Sequence, residues 1–294
     1  MSEIIPLLLS VICYQLSVIS MKLSIIVNHY RTPEVLRNCL NSVKEDLKEA
    51  GFDWELIVTD SATIEKTTEM MADEFPDVTF IPAEENIGFG KSINIALRQA
   101  KGEYLFIINA DIVIDEKGVI KSMLSYMAEH PEIGMLGPKL WNINNTWQQS
   151  AFRFYTPMTV AYRRTFLGKT PMGKNNLDEF LMKDVFAKDV TEPIAVDWLM
   201  GSAMMVRSKD LEKVGGFDER YFMYFEDVDW ARSFWENGLK VVYYPKVTMY
   251  HYHFQSSKKS SVWKSAFNKY ARIHVQSAIK YFKKFGMKKV RYGA

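Results

Sequence analysis

The segment at residues 91–111, KSINIALRQAKGEYLFIINAD, contains the pattern on which the predicted fold rests. Apolar residues recur at helical spacing over 91–100, and Gly102 ends that helix. The run YLFII at 104–108 indicates a short buried strand, which ends at Asn109-Ala110-Asp111. The segment therefore predicts a helix, then a strand, then polar groups at the carboxyl end of the strand.

The alternation of strands and helices continues on both sides of this segment. Strands are predicted at 23–27, 55–59, 78–81, 198–207, 240–244 and 247–251, and helices at 33–50, 64–75, 116–130, 209–214 and 226–237. Strands separated by helices of about 10–15 residues imply βαβ units. The predicted fold class is therefore α/β, with a mostly parallel sheet flanked by helices. Residues 141–193 lack a clear period, and there we expect long loops and short elements.

The two ends of the chain differ in composition from its body. Residues 1–20 are mainly apolar and lack the features of a signal peptide, so we expect an upstream extension or a membrane-contacting segment. Residues 258–294 carry eleven Lys or Arg and no Asp or Glu, whereas the rest carries 26 basic and 35 acidic residues. This tail predicts basic amphipathic helices that pack on the body or contact an anionic membrane surface. One domain is expected between the two ends, at 21–257.

Two carboxylates, Asp60 and Asp111, directly follow predicted strands. Ligands of parallel α/β sheets bind beyond the carboxyl ends of the strands, so we expect both acids at the same edge. A hard divalent cation such as Mg²⁺ or Mn²⁺ takes oxygen ligands and often shares them with substrate phosphates. Asp111 is therefore a candidate metal ligand, and helix capping is the alternative for it.

A second group of acids lies in YFMYFEDVDW at residues 221–230. Glu226, Asp227 and Asp229 interrupt an aromatic segment, although burying a carboxylate without a partner is unfavourable. We expect these acids to line a cleft, where one of them accepts a proton from a hydroxyl group. The alternative is that they cap the helix whose first turn they occupy.

Two further motifs are candidates for binding. The loop NIGFG at residues 86–90, followed by Lys91, precedes a helix whose N-terminus favours anions, although a turn without a ligand explains the glycines equally well. His251 and His253 come at the end of the last predicted strand. A neutral imidazole at that place is suited to a metal or a diphosphate.

Taken in order, several blocks of the chain resemble glycosyltransferase family 2, the inverting enzymes with a Rossmann-like GT-A fold. The blocks are SIIVNHY, IVTDSAT, NIGFGKSINIALRQAKGEYLFIINAD, WLMGSAMMVR, GGFDERYFMYFEDVDW and HYHFQSS, within roughly residues 22–257. Within the family, the chain looks like the bacterial rhamnosyltransferase-like members that build cell-surface polysaccharides. The resemblance implies a hexosyltransferase that moves a sugar from a nucleotide-sugar donor to an acceptor.

The resemblance also implies roles for individual residues. Asp227 would be the general base, Asp60 would contact the nucleotide base, and Asp111 would bind the metal and the diphosphate. His251 would lie near the diphosphate or the metal, with Mg²⁺ or Mn²⁺ as the cofactor. Further substrate contacts are expected from Asn86, Gly88, Lys91, Asn109, Trp198, Gly201, Glu226 and Asp229.

The chain departs from the family pattern at Asn109, which stands where the family carries the first acid of its D-x-D motif. One carboxylate is then left for the metal. Two alternatives to a glycosyltransferase are a nucleotidyltransferase and a non-catalytic nucleotide-sugar-binding or membrane-scaffold protein. A nucleotidyltransferase needs a Gly- and Arg-rich phosphate loop after the first strand, where this chain has NHYR at residues 28–31.

The resemblance favours dTDP-rhamnose as the donor and a lipid-linked glycan or polysaccharide as the acceptor. Such an acceptor, together with the basic tail, predicts a cytoplasmic protein held peripherally at the inner face of the cell membrane. Cys13 and Cys39 give neither a disulfide framework nor a zinc spacing, which favours a reducing compartment. No nucleic-acid-binding motif is recognised, so nucleic acid is not an expected partner.

Overall fold

The computed structural model describes residues 22–252 and 269–286. The predicted extension at 1–20, His253, and residues 258–268 and 287–294 of the predicted tail lie outside these ranges. The strands are β1 Leu23–His29, β2 Trp54–Ser61, β3 Thr79–Ala83, β4 Tyr104–Asn109, β5 Ile112–Val113, β6 Ile133–Asn142, β7 Trp147–Gln148, β8 Ala151–Phe152, β9 Ile194–Ala195, β10 Trp198–Leu199, β11 Ala203–Arg207 and β12 Lys240–His251. The α-helices are α1 Pro33–Leu47, α2 Glu65–Glu74, α3 Phe89–Leu97, α4 Val119–Glu129, α5 Pro157–Arg164, α6 Pro171–Phe180, α7 Lys183–Phe186, α8 Leu211–Val214, α9 Glu226–Glu236 and α10 Lys269–Phe285. Two 3₁₀ helices span Phe166–Lys169 and Ser208–Asp210.

One mixed sheet forms the centre of the fold, with the main strand order β3-β2-β1-β4-β11-β6-β12-β5. The pairs β2–β3, β1–β2, β1–β4 and β6–β12 are parallel. β11 runs antiparallel to both of its neighbours, and β5 runs antiparallel to β12 at the edge. The α/β fold with a mostly parallel sheet is therefore confirmed.

Both faces of the sheet are buried, because neighbouring residues of one strand point into different cores. In β1, Ile25 and Val27 join a largely aliphatic core under α1, α2 and α4. Ile26 joins a second core on the opposite face, under α3 and α9. The second core is rich in aromatic rings, and it lies under the helix that begins at Glu226.

Strand β6 is the largest difference from the predicted elements. It lies between β11 and β12 in the middle of the sheet, although the sequence pattern did not predict a strand there. Its glycines explain the difference. A Cβ atom on Gly134 would lie 2.4 Å from the ring of Phe234, and one on Gly137 would lie 2.9 Å from Leu199. These glycines admit neighbouring side chains, whereas in the sequence they read as breaks in a strand.

Two other predicted strands have different bounds. The single strand predicted at 198–207 is split into β10 and β11, which belong to different sheets and are joined by a turn at residues 200–202. The two strands predicted at 240–244 and 247–251 form one long strand, β12, whose register shifts between Tyr244 and Thr248. Pro245 interrupts the pairing at that place because it has no N–H group.

The stretch 141–193 contains more helix than its irregular pattern predicts. α5 and α6 each begin at a proline preceded by a threonine, Thr156 and Thr170, whose side chain accepts a hydrogen bond from a backbone N–H of the first turn. The region is thus organised as a helical hairpin connected by a 3₁₀ turn.

Helix α10 buries one side of its surface against the aromatic core through His274, Ser277, Ala278 and Tyr281. The prediction for the tail as a whole stays a prediction, because α10 is only its described part. Nowhere in residues 22–252 and 269–286 is a helix both long enough and apolar enough to cross a membrane.

Candidate active site

The carboxyl end of β2 holds a buried acid, Asp60. Its Oδ1 lies 2.8 Å from Nδ1 of His29, the residue beside it at the end of β1. The backbone N–H of Thr32 donates to Nε2 of the same ring at 2.9 Å, so Nδ1 carries the proton and donates to Asp60. Within the described residues, Oδ2 of Asp60 is buried without a hydrogen-bond partner. The strand end therefore presents one carboxylate oxygen suited to a donor group of a ligand.

Beyond the end of β4, Asp111 meets His251 from the end of β12. Oδ1 of Asp111 lies 3.1 Å from Nε2 of His251, and β5 pairs with this end of β12. Nδ1 of His251 lies 2.9 Å from Oε1 of Gln148, an oxygen that only accepts. Nδ1 therefore donates to Gln148, and Nε2 is the ring nitrogen that faces the carboxylate of Asp111.

Nε2 of His251 and Oδ1 of Asp111 are close enough for one cation to be bound by both. Asp111 and His251 therefore fit a divalent ion, for which carboxylate and imidazole are ordinary ligands. In the described part of the chain, no group of three or more His, Cys, Asp or Glu forms a metal site. The remaining ligands would be water and substrate phosphate oxygens, an arrangement that Mg²⁺ commonly adopts.

The turn at residues 200–202 links this strand end to the acidic helix. The backbone N–H of Asn109 donates to the carbonyl oxygen of Ser202 at 3.0 Å. On the other side of the turn, the N–H of Gly201 donates to Oδ2 of Asp227 at 3.1 Å. Oδ1 of Asn109 and Oγ of Ser202 are buried without partners in residues 22–252 and 269–286. The turn thus holds Asp227 beside the strand end that leads to Asp111.

Asp227 is half-buried in the first turn of α9, and main-chain groups hold both of its carboxylate oxygens. Besides Gly201, the backbone N–H of Val228 donates to Oδ1 at 2.9 Å. Burial raises the pKa of Asp227 to about 6, against the opposing effect of these two hydrogen bonds. A carboxylate with a pKa just below neutrality is suited to accept a proton and to release it again.

Glu226 lies next to Asp227 but is more deeply buried, and its pKa is raised further. Its side chain is buried, and Oε2 has no hydrogen-bond partner within the described ranges. Burial, and then the charge of Asp227, raise the pKa of Glu226 to about 8. The raised pKa favours the protonated form of Glu226, in which its carboxyl group is able to donate a hydrogen bond.

The turn before these acids has an unfavourable backbone conformation. Tyr224 and Phe225 have φ angles of +67° and +70°, a region that bulky side chains rarely adopt. Packing holds Phe225 in place, with its ring centroid 4.6 Å from that of Tyr155 and 5.2 Å from that of His274. Burial, together with the charges of two nearby arginines, lowers the pKa of His274 to about 3, so this ring packs as a neutral group. Strain of this kind tends to occur at functional sites.

The third acid of the cluster, Asp229, is engaged by other side chains. Nζ of Lys284 in α10 lies 2.7 Å and 2.9 Å from its two carboxylate oxygens, and the hydroxyl of Tyr221 donates to Oδ2 at 2.9 Å. Ser277 of α10 donates to the carbonyl oxygen of Met223 at 2.8 Å. Asp229 therefore ties the start of α9 to α10, and the predicted substrate contact of Asp229 stays a prediction.

The loop at residues 86–91 packs against the segment that carries the acids. Gly88 has φ of +88°, a Cβ atom there would lie 2.5 Å from the carbonyl oxygen of Phe222, and Oδ1 of Asn86 accepts from its backbone N–H at 3.0 Å. The glycine is thus required by a close approach within the protein, whether or not a ligand binds. Lys91 is exposed in the first turn of α3, and the substrate contacts of Asn86, Gly88 and Lys91 stay predictions.

Trp198 and Gly201 lie on the same short segment but differ in environment. Trp198 is buried, stacks on Phe152 with centroids 4.5 Å apart, and donates its indole N–H to the carbonyl oxygen of Arg153 at 2.8 Å. A Cβ atom on Gly201 would meet Asp227 only at ordinary contact distance. Trp198 thus fixes the segment through its stacking and its hydrogen bond, whereas Gly201 contacts Asp227 directly. The substrate contacts of both residues stay predictions.

Sequence reasoning did not select four residues that hold this site together: His29, Gln148, Tyr155 and Lys284. His29 ends β1 as Asp60 ends β2, so the rule that selected Asp60 also applies to His29. No comparable signal marks Gln148, Tyr155 or Lys284, because their contacts join elements far apart in the chain.

Known proteins resemble this chain in sequence and in fold. The sequence model of Glycosyl transferase family 2 matches residues 24–215. The chain is 28% identical over 210 residues to the N-acetylglucosaminyl-diphospho-decaprenol L-rhamnosyltransferase of Mycobacterium tuberculosis, covering 67% of this chain and 66% of that protein. It is 25% identical over 205 residues to rhamnosyltransferase WbbL of Escherichia coli, covering 66% and 69%. The chain thus spans just under two thirds of the mycobacterial relative.

A solved structure with the same architecture is that of GalNAc-T7 with UDP, GalNAc and Mn²⁺. Its TM-score is 0.62 at 15% identity, over 94% of this chain and 52% of that one. At this identity the likeness concerns the fold alone, and it confirms the predicted GT-A architecture. Because the family model matches well over half of the sequence, the chain belongs to glycosyltransferase family 2.

Proposed function

We propose that this protein is an inverting glycosyltransferase that moves a sugar, rhamnose in the first instance, from a nucleotide donor to a glycan acceptor. The observation that carries the proposal is the turn at 200–202. Its Gly201 donates to Asp227, while its Ser202 accepts from Asn109, two residues before Asp111. This contact supports the proposal because it would hold the proposed proton acceptor near the proposed diphosphate-binding edge, as a single displacement requires.

In this reaction the donor nucleoside lies near Asp60, whose free Oδ2 accepts a hydrogen bond from the base. The diphosphate lies beside Asp111 and His251, the residues that would hold a divalent ion. When bound, such an ion neutralises the charge that develops on the departing diphosphate. The protein's part on this side is to orient the donor and to fix the two ligands.

Asp227 accepts the proton of the acceptor hydroxyl group as that oxygen forms a bond to the anomeric carbon. The bond from the anomeric carbon to the diphosphate oxygen breaks in the same step, and the electron pair leaves with the nucleoside diphosphate. One displacement inverts the anomeric configuration. Glu226, in its protonated form, donates a hydrogen bond to the acceptor or the sugar and adds no second negative charge beside Asp227.

The relatives support the choice of substrates. The name of the mycobacterial relative gives L-rhamnosyl transfer to a lipid-linked acceptor, N-acetylglucosaminyl-diphospho-decaprenol. For this chain we propose dTDP-rhamnose as the donor and a lipid-linked or polysaccharide acceptor in bacterial cell-surface polysaccharide synthesis. The catalytic domain would span residues 21–257, and the protein would work at the cytoplasmic face of the membrane.

The test of the mechanism compares Asp227→Asn with Glu226→Gln in a transfer assay with dTDP-rhamnose. Asp227→Asn removes the proton acceptor, and we expect kcat to fall about 10²–10⁴-fold. Glu226→Gln replaces a carboxyl group whose raised pKa favours the neutral form, so a loss of less than about 10-fold is expected. Equal losses would contradict the assignment of the base. Nucleotide binding without turnover of any donor by the wild type would favour the non-catalytic alternative.

The donor and the metal are tested together by thermal unfolding with dTDP-, UDP- and GDP-sugars. A donor at 100 times its Kd stabilises the folded state by about 2.7 kcal/mol. We expect the largest shift with dTDP-rhamnose and Mn²⁺ together, and loss of most of that shift on adding EDTA. A shift that EDTA leaves unchanged would exclude a metal shared with the diphosphate.

A further inference from the structure

Large apolar side chains that face solvent are concentrated in two segments of the surface. Across residues 22–252 and 269–286, ten such side chains are exposed, and seven of them lie within 156–177 or on α10. The seven are Met158, Phe166, Leu167, Met172, Tyr270, Val275 and Ile279. The two segments are adjacent because α5 contacts α10. A cluster of this kind usually marks an interaction surface.

The connection between α5 and α6, which we call the apolar tip (residues 165–173), is tightly built. A Cβ atom on Gly168 would lie 2.3 Å from the carbonyl oxygen of Tyr162, and one on Gly173 would lie 2.2 Å from that of Leu167. The hydroxyl of Thr170 accepts from the N–H of Gly173 at 3.1 Å. The 3₁₀ turn and the first turn of α6 are thus fixed, and they present Phe166 and Met172 at 70% and 72% exposure.

Positive charge predominates around these side chains. Residues 156–177 contain Arg163, Arg164, Lys169 and Lys174 and no acid, and Asp178 and Glu179 follow at the end of α6. α10 contains five basic residues and no acid. Lys284 is paired with Asp229 and Asp218, and Lys280 donates to the carbonyl oxygen of Arg220. Val275 and Ile279 are one turn apart on α10, so they lie on the same side of the helix. Both segments therefore combine exposed apolar groups with positive charge.

We propose that the apolar tip and the outer side of α10 form a docking surface for an anionic lipid bilayer. The interface of such a bilayer accepts apolar side chains at the depth of the headgroups and supplies negative charge at its surface. A second copy of this chain is a poorer occupant, because an isologous contact would bring the same basic segments together. The positive charge of the surface therefore favours an anionic bilayer over a second copy of the chain.

The docking surface is joined to the candidate active site. Tyr155 lies just before α5, and its ring packs at 4.6 Å from Phe225, the residue before Glu226. Arg163 donates to the hydroxyl of Tyr155. If the proposed function holds, docking brings the acceptor side of the cleft to the membrane, where a lipid-linked acceptor resides. The docking itself does not depend on that reaction.

The test uses the full chain and flotation with lipid vesicles. One set contains phosphatidylcholine and phosphatidylglycerol at about 3:1, and the other contains phosphatidylcholine alone. We expect binding to the anionic vesicles, and a fall in the partition coefficient of at least about 10-fold in Phe166→Ser/Met172→Ser. Lys169→Glu/Lys174→Glu should weaken binding to anionic vesicles only. Ile143→Ser is the matched control, since Ile143 is 65% exposed outside both segments.

Three results would overturn the proposal. The first is vesicle binding by Phe166→Ser/Met172→Ser at the wild-type level, which would place membrane contact elsewhere in the chain. The second is equal binding to both kinds of vesicle, and the third is a wild-type dimer in light scattering that this variant loses. Circular dichroism and the thermal midpoint confirm that each variant folds. Because no step needs turnover, failure here is distinguishable from failure of the proposed reaction.

Discussion

The two sides of the cleft are built in different ways. On the side of Asp60 and Asp111, functional groups lie at or just beyond strand ends, so the register of the sheet sets their positions. On the side of Asp227, the acids lie on a helix that ring packing and Lys284 hold in place from distant parts of the chain. The first side depends on backbone topology, and the second depends on individual side chains.

Ion pairs show the same difference. Arg37 and Glu74 join α1 to α2 through two hydrogen bonds, and their side chains are 35% and 42% exposed. Lys284 and Asp229 join α10 to α9 with the carboxylate only 3% exposed. A carboxylate that has lost its water requires its partner, whereas a solvated one does not. Substitutions far from the cleft should therefore affect the Asp227 side more than the Asp60 side.

The largest expected effect tests the strand-end side through Asp111→Asn. Removing the carboxylate leaves His251 as the one ligand of the pair, and we expect kcat/KM to fall about 1,000-fold, roughly 4 kcal/mol. The Mn²⁺-dependent part of the thermal shift with dTDP should disappear as well. Asp115→Asn, at an exposed acid of the same segment, is the control and should behave as wild type. A retained Mn²⁺ shift in Asp111→Asn would contradict the metal assignment.

The second prediction concerns the side that depends on side chains. Lys284→Met leaves the buried carboxylate of Asp229 without its cation, and the free energy of unfolding should fall by about 2–3 kcal/mol. Urea unfolding measures this loss. Lys283→Met, at the exposed neighbouring lysine, should change stability little. The double variant Asp229→Asn/Lys284→Met should recover part of the loss, and a purely additive result would mean that the two residues do not interact.

The third prediction uses the raised pKa of Glu226, about 8 in the folded protein. The native state then binds more protons than the unfolded chain between about pH 4.5 and 8, so this group lowers stability as pH rises through that window. Glu226→Gln removes the titration, so its stability relative to wild type should rise by up to about 1.4 kcal/mol for each pH unit across that window. At pH 5 the difference should be small. Thermal melts of wild type and variant at both pH values measure the two differences. An equal difference in stability at pH 5 and pH 8 would contradict the raised pKa of Glu226.

The smallest effect is expected for Arg37→Met on the strand-end side. The pair with Glu74 is solvated, so its loss should shift the thermal midpoint by less than about 2 °C and leave kcat unchanged. A loss of stability as large as that of Lys284→Met would contradict the proposed difference between the strand-end side and the Asp227 side.

The sequence predicts the strand-end side well because its signals are local. A short apolar run followed by Asp60 or by Asn109-Ala110-Asp111 indicates both the strand and the edge at which its polar groups lie. The family resemblance uses these blocks together with GGFDERYFMYFEDVDW at residues 215–230, which lies on the other side. The prediction of the sheet was less complete, because it omitted β6. The glycines of β6 make room for Phe234 and Leu199, and the local sequence pattern does not contain these contacts.

The other side could be predicted only in part. The acids at 226–229 are conspicuous among aromatic residues, but nothing local distinguishes Asp227, held by Gly201, from Asp229, held by Lys284. The helices of 157–180 were missed although Thr156-Pro157 and Thr170-Pro171 repeat the Thr-Pro start that predicts α1. Here the available signal was outweighed by the irregular composition of the stretch.

The contact between Lys284 and Asp229 also has a consequence for folding. The parallel pairs β1–β2 and β2–β3 join residues that are nearer in sequence than Lys284 and Asp229 are, so closing them costs less chain entropy. Lys284 comes later in the chain than every strand of the sheet, so Asp229 meets its cation only after most of the chain has been synthesised. The sheet is then expected to precede the final placement of Asp227.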